Sequence, residues 1–313
     1  CTLVAKLPTE TPLSPLAFLD CLVDVGIPGG TVNALIGPGE TLGPALIRHP
    51  LVQKVAFTGS TKVGKSVYGN CADSLTKVSL ELGGSLPMIV CSDCNMEEAV
   101  AGAVRRSFRN MGQICIAINR IYVDASIYES FLEKFALATQ QLSLGNGLVD
   151  DCDLGPMTSA KGLKKTQAHV EDALKKGARL VCGGRKPPGE RFVKGFFFEP
   201  TILGDANHEM LAMSEETFGP VVGVMSFNDL DEAIALANDT EYGLAGIVYT
   251  QSLTTARRLS LEIKAGNIAI NNVDAGVINA PYGGWKNSGI GHEHGPEGLY
   301  EYLLVKHIRI RYI

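Results

Sequence analysis

The chain reads as an α/β protein built on a parallel sheet, and three observations predict it. Short runs of branched and aromatic residues alternate with stretches of helical spacing up to about residue 265. Glycine is abundant, with 35 among 313 residues beside 15 prolines, which suits the many turns such a fold needs. The composition, 45% hydrophobic and 19% charged, is that of a globular chain long enough for one large domain or two ordinary ones.

The elements follow in order. Residues 2–5 read as a short apolar strand, and "SPLAFLDCLVDVG" as a helix that stops at Gly26. "GIPGGTVNALIG" is a turn and then a strand. "LVQKVAFTGS" is a strand running into Gly59, and "TKVGKSVYGNCA" is a helix. "KVSLEL" and "PMIVCS" are strands parted by a Gly-Gly turn. "NMEEAVAGAVRRSF" is an amphipathic helix with acids near its start and Arg105 and Arg106 near its end, the order a helix dipole favours. "GGRKPPGERFVKG" is the most loop-like stretch. In the tail, Val305, His307, Arg309 and Arg311 alternate with Lys306, Ile308, Ile310 and Tyr312, which predicts an edge strand able to pair with a partner chain or within the fold.

Charge and composition exclude several classes. A net charge of −5 gives no basic footprint for nucleic acid and no polybasic arm for a membrane. No apolar run is long enough for a transmembrane helix, and the N-terminus lacks the pattern of a signal peptide. The eight cysteines are scattered, so they read as reduced thiols of a cytoplasmic protein. Cys91 and Cys94 form a lone CxxC without the second pair a zinc site needs, and no metal is expected. The chain begins at Cys1 and enters a strand at once, which predicts that an N-terminal part is missing.

Four segments carry chemistry. "GSTKVGKS", residues 59–66, satisfies the phosphate-binding pattern G-x-x-x-x-G-K-[ST] after a strand and at the start of a helix. Gly59 and Ser60, placed there, offer backbone N–H groups to a phosphate, whether of a nucleoside triphosphate or of a dinucleotide. In "LELGGSLP", Glu81 ends an apolar strand just before two glycines, which suits a general base at a pocket mouth where substrate nears the backbone, against the commoner reading of a solvated carboxylate. Cys115 follows "NMGQI", a break with a glycine and two amides. A packing cysteine belongs inside a periodic segment, whereas this one has the loop placement of a nucleophile. In "SEETFGPV" a proline after Phe-Gly fixes a turn, so that Glu216 can bind ribose hydroxyls and Phe218 can pack on a flat ring.

Taken in order, "FTGST", "LELGG", "GQIC", "EETFGPV", "NDTEYGLAGIVYT" and "PYGGWKNSGIGHEHG" resemble the aldehyde dehydrogenase superfamily over essentially the whole chain. The resemblance implies a partial Rossmann-like cofactor domain at residues 1–83, a parallel α/β catalytic domain at 84–287, a return to the cofactor domain at 288–302 and an oligomerisation strand at 303–313. It implies oxidation of an aldehyde, small and polar or a semialdehyde, to its acid with NAD or NADP. Cys115 would attack the aldehyde carbon to give a thiohemiacetal and then a thioester, and Glu81 would activate the water that releases the acid. Gly59 and Ser60 become a pyrophosphate site, Glu216 and Phe218 nicotinamide-ribose contacts, and Lys6 a ligand near the adenosine ribose. Thr9 falls where members that use only NAD carry a glutamate. A threonine does not repel a 2′-phosphate and Lys6 stands near, so the resemblance leans to NADP or to use of both, although Glu10 restores a carboxylate if the register shifts by one. Ser85 replaces a common lysine and His292 a common arginine, and no consequence is attached to either. A homodimer or homotetramer is implied for the full-length protein. The nearest likeness is to succinate-semialdehyde, lactaldehyde and glycolaldehyde dehydrogenases. The alternatives are a P-loop NTPase using residues 59–66 and a catalytically inactive protein derived from the family.

Overall fold

A computed structural model describes residues 1–312. The chain divides into two compact units. The first comprises Cys1–Phe57 and Lys62–Val78, and the second comprises Thr58–Thr61 and Ser79 to the end of the described residues.

The first unit holds β1 (Leu3–Lys6), α1 (Leu13–Asp24), β2 (Val32–Leu35), α2 (Gly39–Ile47), most of β3 (Lys54–Thr58), most of α3 (Thr61–Cys71) and the start of β4 (Lys77–Glu81). Strands β1 and β2 pair in parallel with Leu3 opposite Val32, the crossover that α1 makes possible. Helix α1 ends as the sequence predicts, with Gly26 at φ +83° just beyond it. Its apolar stripe stays open: no residue of α1 is buried, and Leu13, Phe18 and Val23 are exposed.

The second unit is built on a seven-stranded sheet. Its strands are β5 (Leu86–Val90), β6 (Ile118–Asp124), β7 (Arg179–Cys182), β8 (Thr201–Gly204), β9 (Val221–Phe227), β11 (Ala245–Tyr249) and β12 (Asn267–Ile270), in the order β12-β11-β5-β6-β9-β8-β7. Every pairing is parallel except β7 with β8, which closes one edge. The parallel α/β sheet predicted from the alternation is therefore present. Helices α4 (Met96–Phe108), α5 (Tyr128–Gln140), α6 (Ala160–Lys175), α7 (Leu211–Ser214), α8 (Leu230–Asn238) and α9 (Leu253–Glu262) connect and cover it. Residues 86–90 and 245–249 are buried without alternation, as strands covered on both faces must be. Phe108 of α4 stacks on Phe135 of α5 with ring centroids 5.9 Å apart. Helix α4 starts where expected: the Asn95 side chain accepts from the Glu98 N–H, Glu97 and Glu98 fill the first turn, and Arg105 and Arg106 the last.

Short elements frame the end of β4: β10 (Tyr242–Gly243), β13 (Trp285–Lys286), β14 (Gly289–Ile290) and α10 (Gly295–Tyr300). Strand β14 pairs antiparallel with β4, setting Gly289 opposite Glu81. Any Cβ at Gly289 would stand 2.3 Å from the Leu80 carbonyl oxygen, so only glycine allows this pairing. The tail differs from its sequence pattern: residues 303–312 form no strand. A strand exists only where another supplies its ladder, and among the described residues none pairs with this segment. Residue 313, the last of the predicted strand, lies outside the described residues.

Candidate active site

Cys115 is aimed by an unusual turn. Helix α4 ends at Phe108, and Asn110, Met111 and Gly112 then take φ of +52°, +58° and +66° in succession. Left-handed backbone costs a residue with a side chain roughly 1–2 kcal/mol, so such a run persists only where its surroundings hold it. Two of those restraints are visible. The Asn110 and Gln113 side-chain amides each donate to the other's backbone carbonyl at 3.1 Å. The Gln113 Oε1 accepts from the Thr158 N–H at 3.0 Å. Cys115 then sits, half-buried, in a turn closed by the Ala117 N–H on the Ile114 carbonyl, just before β6. The loop placement expected from "NMGQI" is what the backbone shows.

The glycine pair after Glu81 is the meeting point of the other motifs. The Gly84 N–H donates to Glu216 Oε1 at 3.0 Å. A Cβ on Gly83 would lie 2.8 Å from Glu216 Oε2, and one on Gly84 would lie 2.6 Å from the Cys115 carbonyl oxygen. The absent side chains thus let "LELGG", "GQIC" and "EETFGP" close on one another. Gly112 repeats the device, since a Cβ there would stand 2.3 Å from the Gly219 carbonyl oxygen. Ser288 locks the pair from beneath: its hydroxyl donates to the Gly83 carbonyl at 2.8 Å and accepts from the Gly243 N–H at 3.0 Å.

The electrostatics of the cluster follow from burial. Glu81 is only 6% exposed and its Oε2 has no hydrogen-bond partner. Burial, and after it the charge of Glu293, pushes its carboxyl up to about 8. Burial also raises the Cys115 thiol, and the Glu81 and Glu216 carboxylates add to the rise. The N–H groups of Cys115 and Ile116 act on the sulfur in the opposite sense, favouring the thiolate. Glu216 is raised by burial and pulled back by the Gly84 N–H and the Lys165 ammonium. Lys165, on α6, also donates to the Glu216 carbonyl oxygen. Burial first, then the charges of Cys115, Glu81 and Glu293, hold the Tyr282 phenol well above its usual range. Phe218, two residues after Glu216, is 43% exposed and held at φ +54°.

The remaining predicted residues fall differently. Gly59 does not offer its N–H outward, because that group donates to the Glu81 carbonyl at 3.0 Å. It ties the "FTGST" turn to the Glu81 backbone, which is a correction to its reading as an open phosphate donor. Ser60 lies exposed one residue before α3. In the first unit, Lys6 Nζ donates to Thr9 Oγ1 at 3.4 Å, Thr9 donates to the Gly37 carbonyl at 3.2 Å, and Lys6 Nζ lies 3.8 Å from the Cβ position of Gly39, the first residue of α2. The P-loop alternative fails on geometry. Helix α3 begins at Thr61, so Gly64 and Lys65 lie within the helix and no long loop remains to cradle a triphosphate. Among the described residues, no three His, Cys, Asp or Glu side chains are grouped to hold a metal.

A sequence model of the aldehyde dehydrogenase family matches residues 1–308. The chain belongs to this family. It is 42% identical over 308 residues to 3-sulfolactaldehyde dehydrogenase of Pseudomonas putida, covering 98% of this chain and 63% of that one. It is 41% identical over 313 residues to the NADP(+) succinate-semialdehyde dehydrogenase of Escherichia coli K12, covering 99% of this chain and 64% of that one. A crystal structure of betaine aldehyde dehydrogenase from Staphylococcus aureus in complex with NAD+ superposes with a TM-score of 0.94 at 39% identity, over 98% of this chain and 61% of the other. The chain thus spans a little under two thirds of the length of these relatives. In this member of the family, the sequence reading missed Ser288, Tyr282, Glu293 and Lys165. All but Lys165 lie in or beside "PYGGWKNSGIGHEHG", a motif that carried the resemblance without yielding their roles.

Proposed function

We propose that the protein oxidises an aldehyde to its carboxylic acid with a nicotinamide dinucleotide, using Cys115 as nucleophile and Glu81 as base. The observation that carries the reading is the convergence on Gly83–Gly84 of the Cys115 backbone and the Glu216 carboxylate, with Glu81 and Glu216 both near enough to act on the Cys115 thiol. The Cys115 sulfur attacks the carbonyl carbon, and the oxygen that takes up the charge is met by the N–H groups that already face the sulfur. When bound, the nicotinamide supplies the hydride-accepting chemistry. Glu81 then takes a proton from the water that attacks the thioester carbon and releases the acid from the sulfur. A carboxyl at about 8 is matched to that work near neutral pH.

The residues fit such a cofactor. Glu216 is fixed by the Gly84 N–H with its second oxygen against a residue that has no side chain, and Phe218 offers an aromatic face. Lys6 and Thr9 stand beside the N-terminus of α2, a favourable place for a phosphate, which supports NADP or both cofactors. Glu40 in the first turn of that helix acts against it. The relatives named for semialdehydes and a sulfonated aldehyde support a small substrate of that kind. We further propose that the full-length protein forms a homodimer or homotetramer and works in the cytoplasm. Among the described residues, no helix is long and apolar enough to cross a membrane.

The test is nicotinamide reduction with succinate semialdehyde, lactaldehyde and glycolaldehyde, each with NAD and with NADP. Reduction should vanish in Cys115→Ala. In Glu81→Gln a single-turnover burst should remain while steady turnover is lost. Turnover that survives Cys115→Ala would end this mechanism.

A further inference from the structure

One buried side chain outside the reacting groups touches the same turn. Arg120 lies on β6, five residues after Cys115, and is 0% exposed. Its Nη2 and Nε both donate to the Ser85 carbonyl, at 2.8 and 3.2 Å. Nη2 also donates to the Ala237 carbonyl at 3.2 Å, and Nη1 to the Leu236 carbonyl at 3.3 Å. Nη1 donates to the Tyr122 hydroxyl at 2.9 Å. That hydroxyl lies 2.9 Å from His208 Nε2, and His208 Nδ1 lies 2.6 Å from Asp239 Oδ2.

None of the groups that Arg120 donates to is a carboxylate. A fully buried cation without an ion-pair partner needs another source of stability. Here it is the C-terminal end of α8, whose last carbonyls carry the negative end of the helix dipole. The guanidinium is thus anchored on α8 at one side and turned onto Ser85 at the other. Only a planar fork makes both contacts at once, with Tyr122 as a third.

Ser85 follows Gly84 directly. Its carbonyl is the point at which the glycine turn is tied to the sheet, as Ser288 ties it through the Gly83 carbonyl. We infer that Arg120 is a positioning residue for the reaction: by holding the Ser85 carbonyl it fixes the Gly83–Gly84 turn, and through it the Glu216 carboxylate and the backbone of Cys115. The inference rests on the roles proposed above for Glu216 and Cys115. Arg120 touches neither of them, and it acts through the Gly84 N–H and the close contact of Gly84 with the Cys115 carbonyl.

The experiment compares Arg120→Lys with Tyr122→Phe in the enzyme. Lysine keeps the charge but cannot grip Ser85 and α8 together. Phenylalanine removes another of the Arg120 contacts and leaves Ser85 held. In Arg120→Lys, kcat should fall roughly tenfold or more and KM for the cofactor rise about fivefold, since small misplacements at a reacting centre have effects of this size. Tyr122→Phe should stay within about twofold of wild type. A readout that needs no turnover is amide exchange of a peptide spanning residues 82–86. Exchange there should quicken in Arg120→Lys alone, because the Gly84 N–H loses its fixed acceptor. Glu216→Gln should cost less cofactor affinity in the Arg120→Lys background than in wild type. Arg120→Gln replaces Arg120→Lys if the latter does not fold. Unchanged exchange and KM in the Arg120 variant, equal losses in Tyr122→Phe, or additivity with Glu216→Gln would each overturn the inference. A wild-type enzyme that oxidises no aldehyde would defeat the proposed function instead, and the exchange measurement would still decide whether Arg120 holds the turn.

Discussion

Replacing Glu81 by glutamine should make the protein's stability less sensitive to alkali. The native carboxyl is held near 8 against an ordinary 4.5, chiefly by burial. A raised acid is bound to its proton more tightly in the folded than in the unfolded state. Its contribution is therefore fully present below 4.5 and is lost as pH climbs towards 8. At about 1.4 kcal/mol for each pH unit, the whole interval amounts to roughly 5 kcal/mol, of which about 3 falls between pH 5.5 and 8.5. Glutamine fills nearly the same volume and does not titrate. For a unit of this size, 1 kcal/mol moves the midpoint by about 2–4 °C. Scanning calorimetry of both proteins at pH 5.5 and 8.5 should then show the variant gaining about 6–12 °C on wild type over that range. A gap that stays constant with pH would refute the burial argument, because Glu81 would then titrate as an exposed carboxylate does.

Three further outcomes follow from the same geometry. Thioester hydrolysis, read by rapid mixing after a burst, should accelerate about tenfold per pH unit below 8 and level off above it, as Glu81 loses its proton; a flat profile between pH 6 and 8 would speak against Glu81 as the base. Gly112→Ala meets both an unfavourable φ and the Gly219 carbonyl, so it should lose roughly 2–4 kcal/mol by denaturant titration and most activity. Thr9→Glu should raise KM for NADP at least about tenfold while leaving KM for NAD within about threefold, since a carboxylate beside Lys6 repels a 2′-phosphate; equal changes for both cofactors would remove Thr9 from the phosphate site.

Local signals were legible in the sequence, and contacts between distant residues were not. The break "NMGQI" marks a loop before Cys115, yet three consecutive left-handed residues leave no trace beyond a single glycine. Glu81 is recognisable as a strand-end acid before two glycines. Its raised carboxyl is not, because burial and Glu293 come from the fold. Ser288 reaches Gly83 across 205 positions and Arg120 reaches Ser85 across 35, and no spacing rule spans either. The phosphate-loop pattern misled because it counts residue types and is blind to where a helix starts, which here is Thr61. Helix α2 escaped notice because "GETLGPALI" carries two glycines and Pro44 within nine residues.

The burial of Cys115 bears on how the thiol ages as well as on how it reacts. Peroxides and alkylating agents attack the thiolate, and burial of the thiol keeps that form scarce at neutral pH. The sulfur to which the proposed reaction assigns the nucleophilic attack is thereby sheltered from sulfenic acid formation between turnovers. In the proposed reaction, selectivity for the aldehyde over an oxidant then depends on the N–H groups of Cys115 and Ile116. They favour negative charge at the sulfur and stand ready for a carbonyl oxygen, which an aldehyde brings to the site and a peroxide does not.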